Sequence, residues 1–176
     1  MILYHGSDIE IVTPKIITSE KGRDFGFGFY TTTIKEQAER WAKRIAKLHG
    51  HQDGKPHTPV VSVFEFDEIA AQNLKQKSFN EASMDWLELV VKCRSDLKYR
   101  HDYDIVFGKI ANDSVGETIE YVLAGVMRKE DAIERLKFEK INDQMCFNTE
   151  ASLKTIRFVE SYTLKVLHGD RYASSY

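Results

Sequence analysis

The sequence predicts a single α+β domain, and three observations support this fold class. At 176 residues, the chain is long enough for one domain with an apolar core and too short for us to expect two. Its composition, 42% hydrophobic and 30% charged, is typical of a globular protein. Segments with strand and helix patterns do not alternate strictly, which favours a mixed fold over a doubly wound parallel sheet. We expect the domain to span residues 1–168 and residues 169–176 to form a C-terminal tail.

Strands are predicted where residues alternate in polarity or where aromatic and β-branched residues cluster. The first predicted strand runs directly into a His-Gly-Ser sequence, and a glycine-rich stretch precedes the second. Such glycines are typical of turns. The predicted strands are Ile2–Tyr4, Phe29–Thr32, Val60–Phe66, Asp104–Ile110, Gln144–Phe147 and Tyr162–Leu167.

Helices are predicted where apolar residues recur with a period of 3.6. The clearest helix has Ile34, Ala38, Trp41, Ala42, Ile45 and Ala46 on one face. A loop rich in Gly, Pro and His is expected to follow it at His49–Pro59. Further helices are predicted over Asn80–Cys93, after a capping box at Ser114 and Glu117, over Glu130–Phe138, and as a short helix within Thr149–Phe158.

Charge, cysteine content and hydropathy exclude several classes of protein. A net charge of -2 gives no basic surface for stable nucleic-acid binding. No apolar stretch is long enough to span a membrane, and the first residues lack the pattern of a signal peptide. Cys93 and Cys146 both lie in apolar segments, so we expect reduced core thiols. A cytoplasmic protein is predicted.

Two segments near the N-terminus carry the residues best suited to chemistry. Tyr4-His5-Gly6-Ser7 ends the first predicted strand, and Gly26-Phe27-Gly28-Phe29-Tyr30 leads into the second. Closely spaced glycines permit the backbone to approach a flat or phosphorylated ligand. The aromatic residues offer stacking faces, and a histidine at a strand end exposes its ring nitrogens. Together they favour a nucleotide, but the third glycine of a Rossmann dinucleotide site is absent.

These segments resemble the ADP-ribosyltransferase superfamily, in particular its poly-ADP-ribose polymerase and diphtheria-toxin-like branch. The chain is also similar, over most of its length, to an uncharacterised bacterial family with His-Gly-Ser, Asp-Phe-Gly-x-Gly-Phe-Tyr and Gln-x-Cys-Phe motifs. The resemblance implies a split sandwich of two sheets with peripheral helices and NAD lying across the crevice as co-substrate. It also implies transfer of a single ADP-ribose to a macromolecular acceptor.

The resemblance further implies roles for individual residues. His5 should bind a ribose hydroxyl, and the backbone of Gly6 should hold the carboxamide of nicotinamide. Tyr30 should stack on the nicotinamide ring and Trp41 should close its other face, although the position of Trp41 on an apolar helix face favours a place in the core. The remaining residues predicted to bind NAD are Tyr4, Ser7, Gly26, Gly28, Phe29 and Thr31.

Gln144 stands where the resembled family has a catalytic glutamate on a late strand. An amide oxygen can accept the ribose hydrogen bond but brings no charge to a developing cation, and losing such a contact costs roughly 2.7–4 kcal/mol in better-studied sites. Asp143, Glu150 or Asp113 are candidates to supply the missing carboxylate. Gln144 is equally well interpreted as a polar residue at a strand end.

Three alternatives stay open at this stage. The chain is either an active enzyme or a catalytically degenerate module that binds NAD or ADP-ribose. It is also interpretable as the toxin of a bacterial toxin–antitoxin pair, with a small antitoxin as partner.

Two groups of residues also have alternative interpretations. Arg23 and Asp24 either contact a phosphate or merely shape a solvated loop. The spacing of His49, His51, Asp53 and His57 matches no closed tetrahedral metal site, so a flexible surface loop is preferred and no metal is expected.

Overall fold

A computed structural model describes residues 1–18, 22–110, 113–136 and 142–165. Within these residues the chain forms two β-sheets and five α-helices, which confirms the predicted α+β class. The strands are β1 (Ile2–Ser7), β2 (Phe29–Thr31), β3 (Val60–Phe66), β4 (Gln76–Phe79), β5 (Ile105–Ile110), β6 (Asn142–Phe147) and β7 (Ile156–Thr163). The helices are α1 (Lys35–Asp53), α2 (Met84–Ser95), α3 (Asp113–Leu123), α4 (Lys129–Leu136) and α5 (Glu150–Leu153).

The first sheet has the strand order β1-β3-β7 and the second the order β2-β6-β5-β4. The first sheet is antiparallel, with Leu3 opposite Phe64. In the second sheet β4 runs parallel to β5, and the other pairs are antiparallel. The two sheets meet where Tyr4 and Thr32 exchange backbone hydrogen bonds of 2.8 and 3.0 Å. This bridge places the middle of β1 beside the end of β2.

The second sheet separates two apolar cores. Alternation along its strands sends successive side chains to opposite faces. One face packs against the first sheet, and the side chains buried there include Leu3, Phe29, Phe64, Phe66, Ile105, Met145 and Phe147. The other face packs against α2, α3 and α4, and the side chains buried there include Tyr30, Trp86, Leu87, Val106, Ile119, Leu136 and Cys146.

Helix α1 covers the outer face of the first sheet through small side chains. Ala38, Ala42 and Ala46 are buried along one side of the helix. They allow α1 to approach β1 so closely that a Cβ added at Gly6 would lie 2.1 Å from the carbonyl oxygen of Ala38. Trp41, by contrast, is 49% exposed, so the interpretation of Trp41 as a core residue is wrong.

The bounds of two helices differ from the sequence prediction. The loop expected from His49 begins later, because α1 continues to Asp53 and ends where Gly54 adopts a left-handed conformation with φ 71°. Its N–H then bonds to the carbonyl of Gly50, a common glycine-dependent helix end. Helix α2 begins at Met84 because Ser83, rather than Asn80, caps it by accepting the N–H of Trp86 at 3.3 Å.

Several strands also differ: β1 continues to Ser7, β6 begins at Asn142 and β7 ends at Thr163. Strand β4 was not predicted, because its polar sequence Gln-Lys-Ser-Phe buries Phe79 alone. The helix expected within Thr149–Phe158 is confined to Glu150–Leu153, and β7 begins at Ile156. The predicted C-terminal tail and the side chain of Ser114 in the predicted capping box lie outside the described residues and side chains. Cys93 and Cys146 are both buried and free, as predicted.

Candidate functional site

His5 lies at the point where the two sheets meet. Its Nδ1 is 2.7 Å from the carbonyl oxygen of Tyr30, and its ring stacks on Phe29 with centroids 4.5 Å apart. A carbonyl only accepts, so Nδ1 carries the proton and, in the neutral ring, Nε2 is the acceptor. Desolvation lowers the pKa of His5, with the Tyr30 carbonyl opposing this shift and the cationic Arg23 adding to it. The site therefore favours a neutral imidazole, and its acceptor Nε2 has no hydrogen-bond partner among the described residues.

The side chain of Tyr30 lies on the other face of β2. Its hydroxyl donates to the carbonyl of Gly26 at 2.5 Å and accepts the N–H of Phe25 at 3.1 Å. Burial raises the pKa of Tyr30 well above its ordinary value. The structure thus brings His5 to the backbone of Tyr30 but not to its ring, because the ring packs with the helical layer.

Arg23 covers the Tyr30 ring, with its guanidinium carbon 5.3 Å from the ring centroid. Among the described residues, no carboxylate lies within ion-pair distance of this guanidinium. Its neighbour Asp24 instead binds Arg94 of α2 at 2.6 Å, with both side chains largely buried. Asp24 therefore ties the loop to α2, whereas Arg23 places a cation beside Tyr30.

Packing accounts for the two glycines of the Gly-x-Gly segment. Gly26 has a φ of 73°, which side-chain-bearing residues rarely adopt. A Cβ at Gly28 would lie 2.5 Å from Sγ of Cys146. Asn148, which the sequence analysis did not single out, holds this segment by donating from Nδ2 to the carbonyls of Phe25 and Phe27, each at 2.8 Å. The segment is a tightly fitted turn between β6 and the helical layer.

Gln144 lies on β6, opposite Gly108 of β5. It is two residues from Cys146, which pairs with Tyr30, so the strand alternation places Gln144 and Tyr30 on the same face of the sheet. Its side chain is half-buried. The structure therefore groups Gln144 with the face of Tyr30 and Arg23, and leaves the His5 ring on the opposite face.

Asp143 is already engaged by the turn between β2 and α1. Its Oδ1 accepts the hydroxyl of Thr32 at 2.6 Å and the N–H of Thr33 at 2.9 Å, and its Oδ2 accepts the hydroxyl of Thr33. The Asp143 carboxylate therefore accepts hydrogen bonds from the residues just before α1. The N-cap residue of this helix, Ile34, makes no side-chain cap of its own. Glu150 lies in the first turn of α5 and is exposed, and the side chain of Asp113 is outside those described.

The other residues predicted to bind NAD are dispersed. The half-buried Tyr4 packs with Ala38 and Ala42 of α1, and the buried Thr31 donates to the carbonyl of Met145 at 3.2 Å. Ser7 donates to Oδ1 of Asp8 at 3.5 Å. Phe29 forms part of the core between the sheets. Trp41 lies beside the guanidinium of Arg44, whose central carbon is 5.5 Å from its ring centroid.

Comparison with known protein families gives a match over most of the chain. The model of a family described as "Protein of unknown function (DUF3990)" matches residues 1–158, which confirms the expected similarity to an uncharacterised family. The matched range includes His5, Tyr30 and Gln144. No curated protein matches the chain. Among the residues that the structure describes, none of the helices has the length and apolar character needed to cross a bilayer.

Proposed function

The chain belongs to the DUF3990 family of proteins of unknown function, and we propose that it binds NAD and transfers a single ADP-ribose from it to a macromolecular acceptor. The observation that carries this proposal is the junction of β1 and β2, where His5 presents a neutral ring nitrogen beside the Tyr30 backbone. The order of the motifs and the two-sheet α+β architecture agree with the resemblance to ADP-ribosyltransferases.

In this proposal, one residue binds the ribose of NAD and another binds its pyrophosphate. Nε2 of His5 accepts a hydrogen bond from a hydroxyl of the nicotinamide-bearing ribose. Arg23, which has no carboxylate partner among the described residues, pairs with the pyrophosphate through charge-assisted hydrogen bonds. Tyr30 contributes its backbone carbonyl beside His5 in this proposal, because its ring packs with the helical layer.

The proposed reaction breaks the bond between the ribose anomeric carbon and the nicotinamide nitrogen. Nicotinamide leaves with the bonding electron pair, and a nucleophile of the acceptor forms a new bond to the same carbon and loses its proton. The oxocarbenium-like transition state is cationic. Gln144 lies on the sheet face opposite the His5 ring, and its amide cannot supply the negative charge that a glutamate would supply.

A second candidate function is NAD or ADP-ribose binding without catalysis. The specific observation in its favour is that β6 carries an amide, Gln144, where the resembled family has a glutamate. The adjacent carboxylate of Asp143 is already occupied by Thr32 and Thr33. A binding module and a slow transferase share the same ligand, so measurements of binding and of nicotinamide release are both needed.

The binding experiment is a calorimetric titration of the wild type, His5→Asn and His51→Ala with NAD. Asparagine retains a donor toward the Tyr30 carbonyl but lacks the distal Nε2 acceptor. We expect affinity to fall about tenfold in His5→Asn, the loss of one hydrogen bond to a polar ligand group. The exposed His51 on α1 serves as the control and should leave affinity unchanged. Absence of saturable NAD binding by the wild type would refute the proposal.

Catalysis is tested by nicotinamide release from NAD in the wild type, Gln144→Glu and Gln72→Glu. Gln72 is exposed, so its variant controls for the added charge alone. If the wild type releases nicotinamide and Gln144→Glu does so about 10²-fold faster, the wild type is an active NAD-cleaving enzyme. Turnover by Gln144→Glu alone would assign the wild type to the binding class.

A further inference from the structure

Asp8, His49 and His57 converge from three separate segments of the chain. Asp8 follows β1, His49 lies near the end of α1, and His57 lies in the loop before β3. Oδ2 of Asp8 is 2.7 Å from Nδ1 of His49 and 2.6 Å from Nδ1 of His57. One candidate ligand atom from each residue lies within 4.8 Å of the others.

The cluster has a buried base and an open rim. The side chain of Asp8 is 7% exposed, whereas those of His57 and His49 are 24% and 43% exposed. The Asp8 carboxylate therefore lies at the base of the cluster, with two imidazoles between it and solvent.

Asp53 supports the cluster from one step further out. Its Oδ2 lies 3.0 Å from Nε2 of His57, the nitrogen that faces away from Asp8. A histidine that binds a metal through one ring nitrogen usually donates the N–H of the other to a carboxylate, which fixes its tautomer and orientation. Asp53 and His57 have this arrangement.

We propose that Asp8, His49 and His57 form a binding site for a divalent transition-metal ion of the Zn²⁺ type. Two imidazole nitrogens and one carboxylate oxygen match the ligand types that Zn²⁺ takes in proteins, and three protein ligands leave a fourth position for water or another ligand. On binding, each ligating Nδ1 gives up its proton. In His49 the ring then carries its proton on Nε2. In His57, whose two nitrogens both face carboxylates, the Nδ1 proton is released to solvent and the Nε2 proton still donates to Asp53.

The site requires a small opening of the present geometry. Tetrahedral ligands at bond lengths of about 2.0–2.1 Å lie roughly 3.3 Å apart, so the two Nδ1 atoms must each withdraw from Oδ2 by about 0.6–0.7 Å. The half-exposed side chain of His49 has room for this rotation. The metal would tie the end of β1 to the end of α1 and the loop before β3. The proposal is independent of NAD binding.

The test uses tag-free, chelator-treated full-length protein, because a histidine tag would itself bind the metal. Zn²⁺ binding is measured by calorimetry, and Co²⁺ serves as a probe whose visible absorption reports tetrahedral coordination. His49→Gln and His51→Gln form a matched pair, since both alter a surface histidine of α1 and only His49 belongs to the cluster.

We expect one equivalent of Zn²⁺ to bind to the wild type and to His51→Gln with the same affinity, and at least about tenfold more weakly to His49→Gln. Asp53→Asn, which leaves all three ligands in place, should weaken binding about 10–100-fold. No saturable Zn²⁺ binding to the wild type below about 100 μM would overturn the proposal. Equal losses in His49→Gln and His51→Gln would also overturn it.

Discussion

At the scale of single residues, His5 is held by a carbonyl on one side and a phenyl ring on the other. Desolvation disfavours the charged ring more than the hydrogen bond to the Tyr30 carbonyl favours it, and Arg23 also opposes a positive charge. The folded protein therefore favours the neutral form of His5. This neutrality leaves an acceptor nitrogen available at the junction of the sheets, and it makes a measurable contribution to the dependence of stability on pH.

We expect His5 to lower stability as the solution becomes acidic. Its pKa in the folded protein lies below the ordinary value of 6.5, so below pH 6.5 the unfolded state binds more protons at this residue than the folded state. The free energy of unfolding of the wild type should therefore fall between pH 7 and pH 5 more steeply than that of His5→Asn. Urea unfolding across this range measures the difference. Parallel profiles for the two proteins would contradict it.

The residue scale also shows what the sequence could and could not predict about the site. Its motifs predicted that His5 stands at the end of one strand and that Tyr30 lies on another. Tyr30 does lie on β2, but β1 continues past His5 to Ser7. Periodicity did not reveal that the Tyr30 ring faces the helices, because an aromatic, buried three-residue strand has no polar face to orient it. Asp8 escaped notice because its two histidine partners lie 41 and 49 positions away along the chain.

At the scale of elements, the fit of α1 against β1 depends on the absence of a side chain at Gly6. A Cβ there would lie 2.1 Å from the carbonyl oxygen of Ala38 and 2.8 Å from the amide nitrogen of Ala42. Both atoms belong to the helix backbone, which cannot rotate away as a side chain can. Packing of α1 thus supplies a structural reason for the glycine after His5.

We expect Gly6→Ala to destabilise the protein by roughly 1–3 kcal/mol, because α1 must move away from β1. Gly116→Ala is the matched control, since a Cβ added at Gly116 on α3 meets no atom within 4 Å. Replacing that helical glycine should stabilise the protein by roughly 0.5–1 kcal/mol. Both free energies follow from urea unfolding monitored by circular dichroism. Equal stability of Gly6→Ala and the wild type would contradict the proposed packing.

Elements with a regular pattern were predicted well, and those without one were not. Val60–Phe66 matches its prediction because a run of apolar and aromatic residues favours a buried strand. Strand β4 was missed because it runs parallel beside β5 and buries one residue. The start of β7 was assigned to a helix because its exposed residues do not alternate regularly. In both strands the pairing partner, rather than local sequence, determines the structure.

At the scale of the whole molecule, the reactivity of the two cysteines reports whether the core between the second sheet and its helices opens in the folded protein. Both belong to the core on that side. Burial raises the pKa of Cys93 to about 12 and raises that of Cys146 further above its ordinary value. The reactive thiolate is therefore scarce at neutral pH, and the side chains are inaccessible.

We expect both thiols to resist a thiol reagent in the folded protein and to react when urea unfolds it. Ser95→Cys is the control, because position 95 is exposed and lies two residues beyond Cys93. The added thiol should be labelled rapidly under native conditions. Mass spectrometry after timed labelling identifies which cysteines have reacted. Rapid native labelling of Cys93 or Cys146 would show that this core opens locally.

In the first sheet, β3 lies between β1 and β7. The sheet therefore joins strands from nearly opposite ends of the described chain. During synthesis, β1 and β3 leave the ribosome long before β7. Until then β3 has an unpaired edge, and its apolar residues are available to other chains. We therefore expect the edge of β3 to stay exposed until Ile156–Thr163 is available to pair with it, and slower translation of the preceding segment to prolong this exposure to chaperones or aggregation.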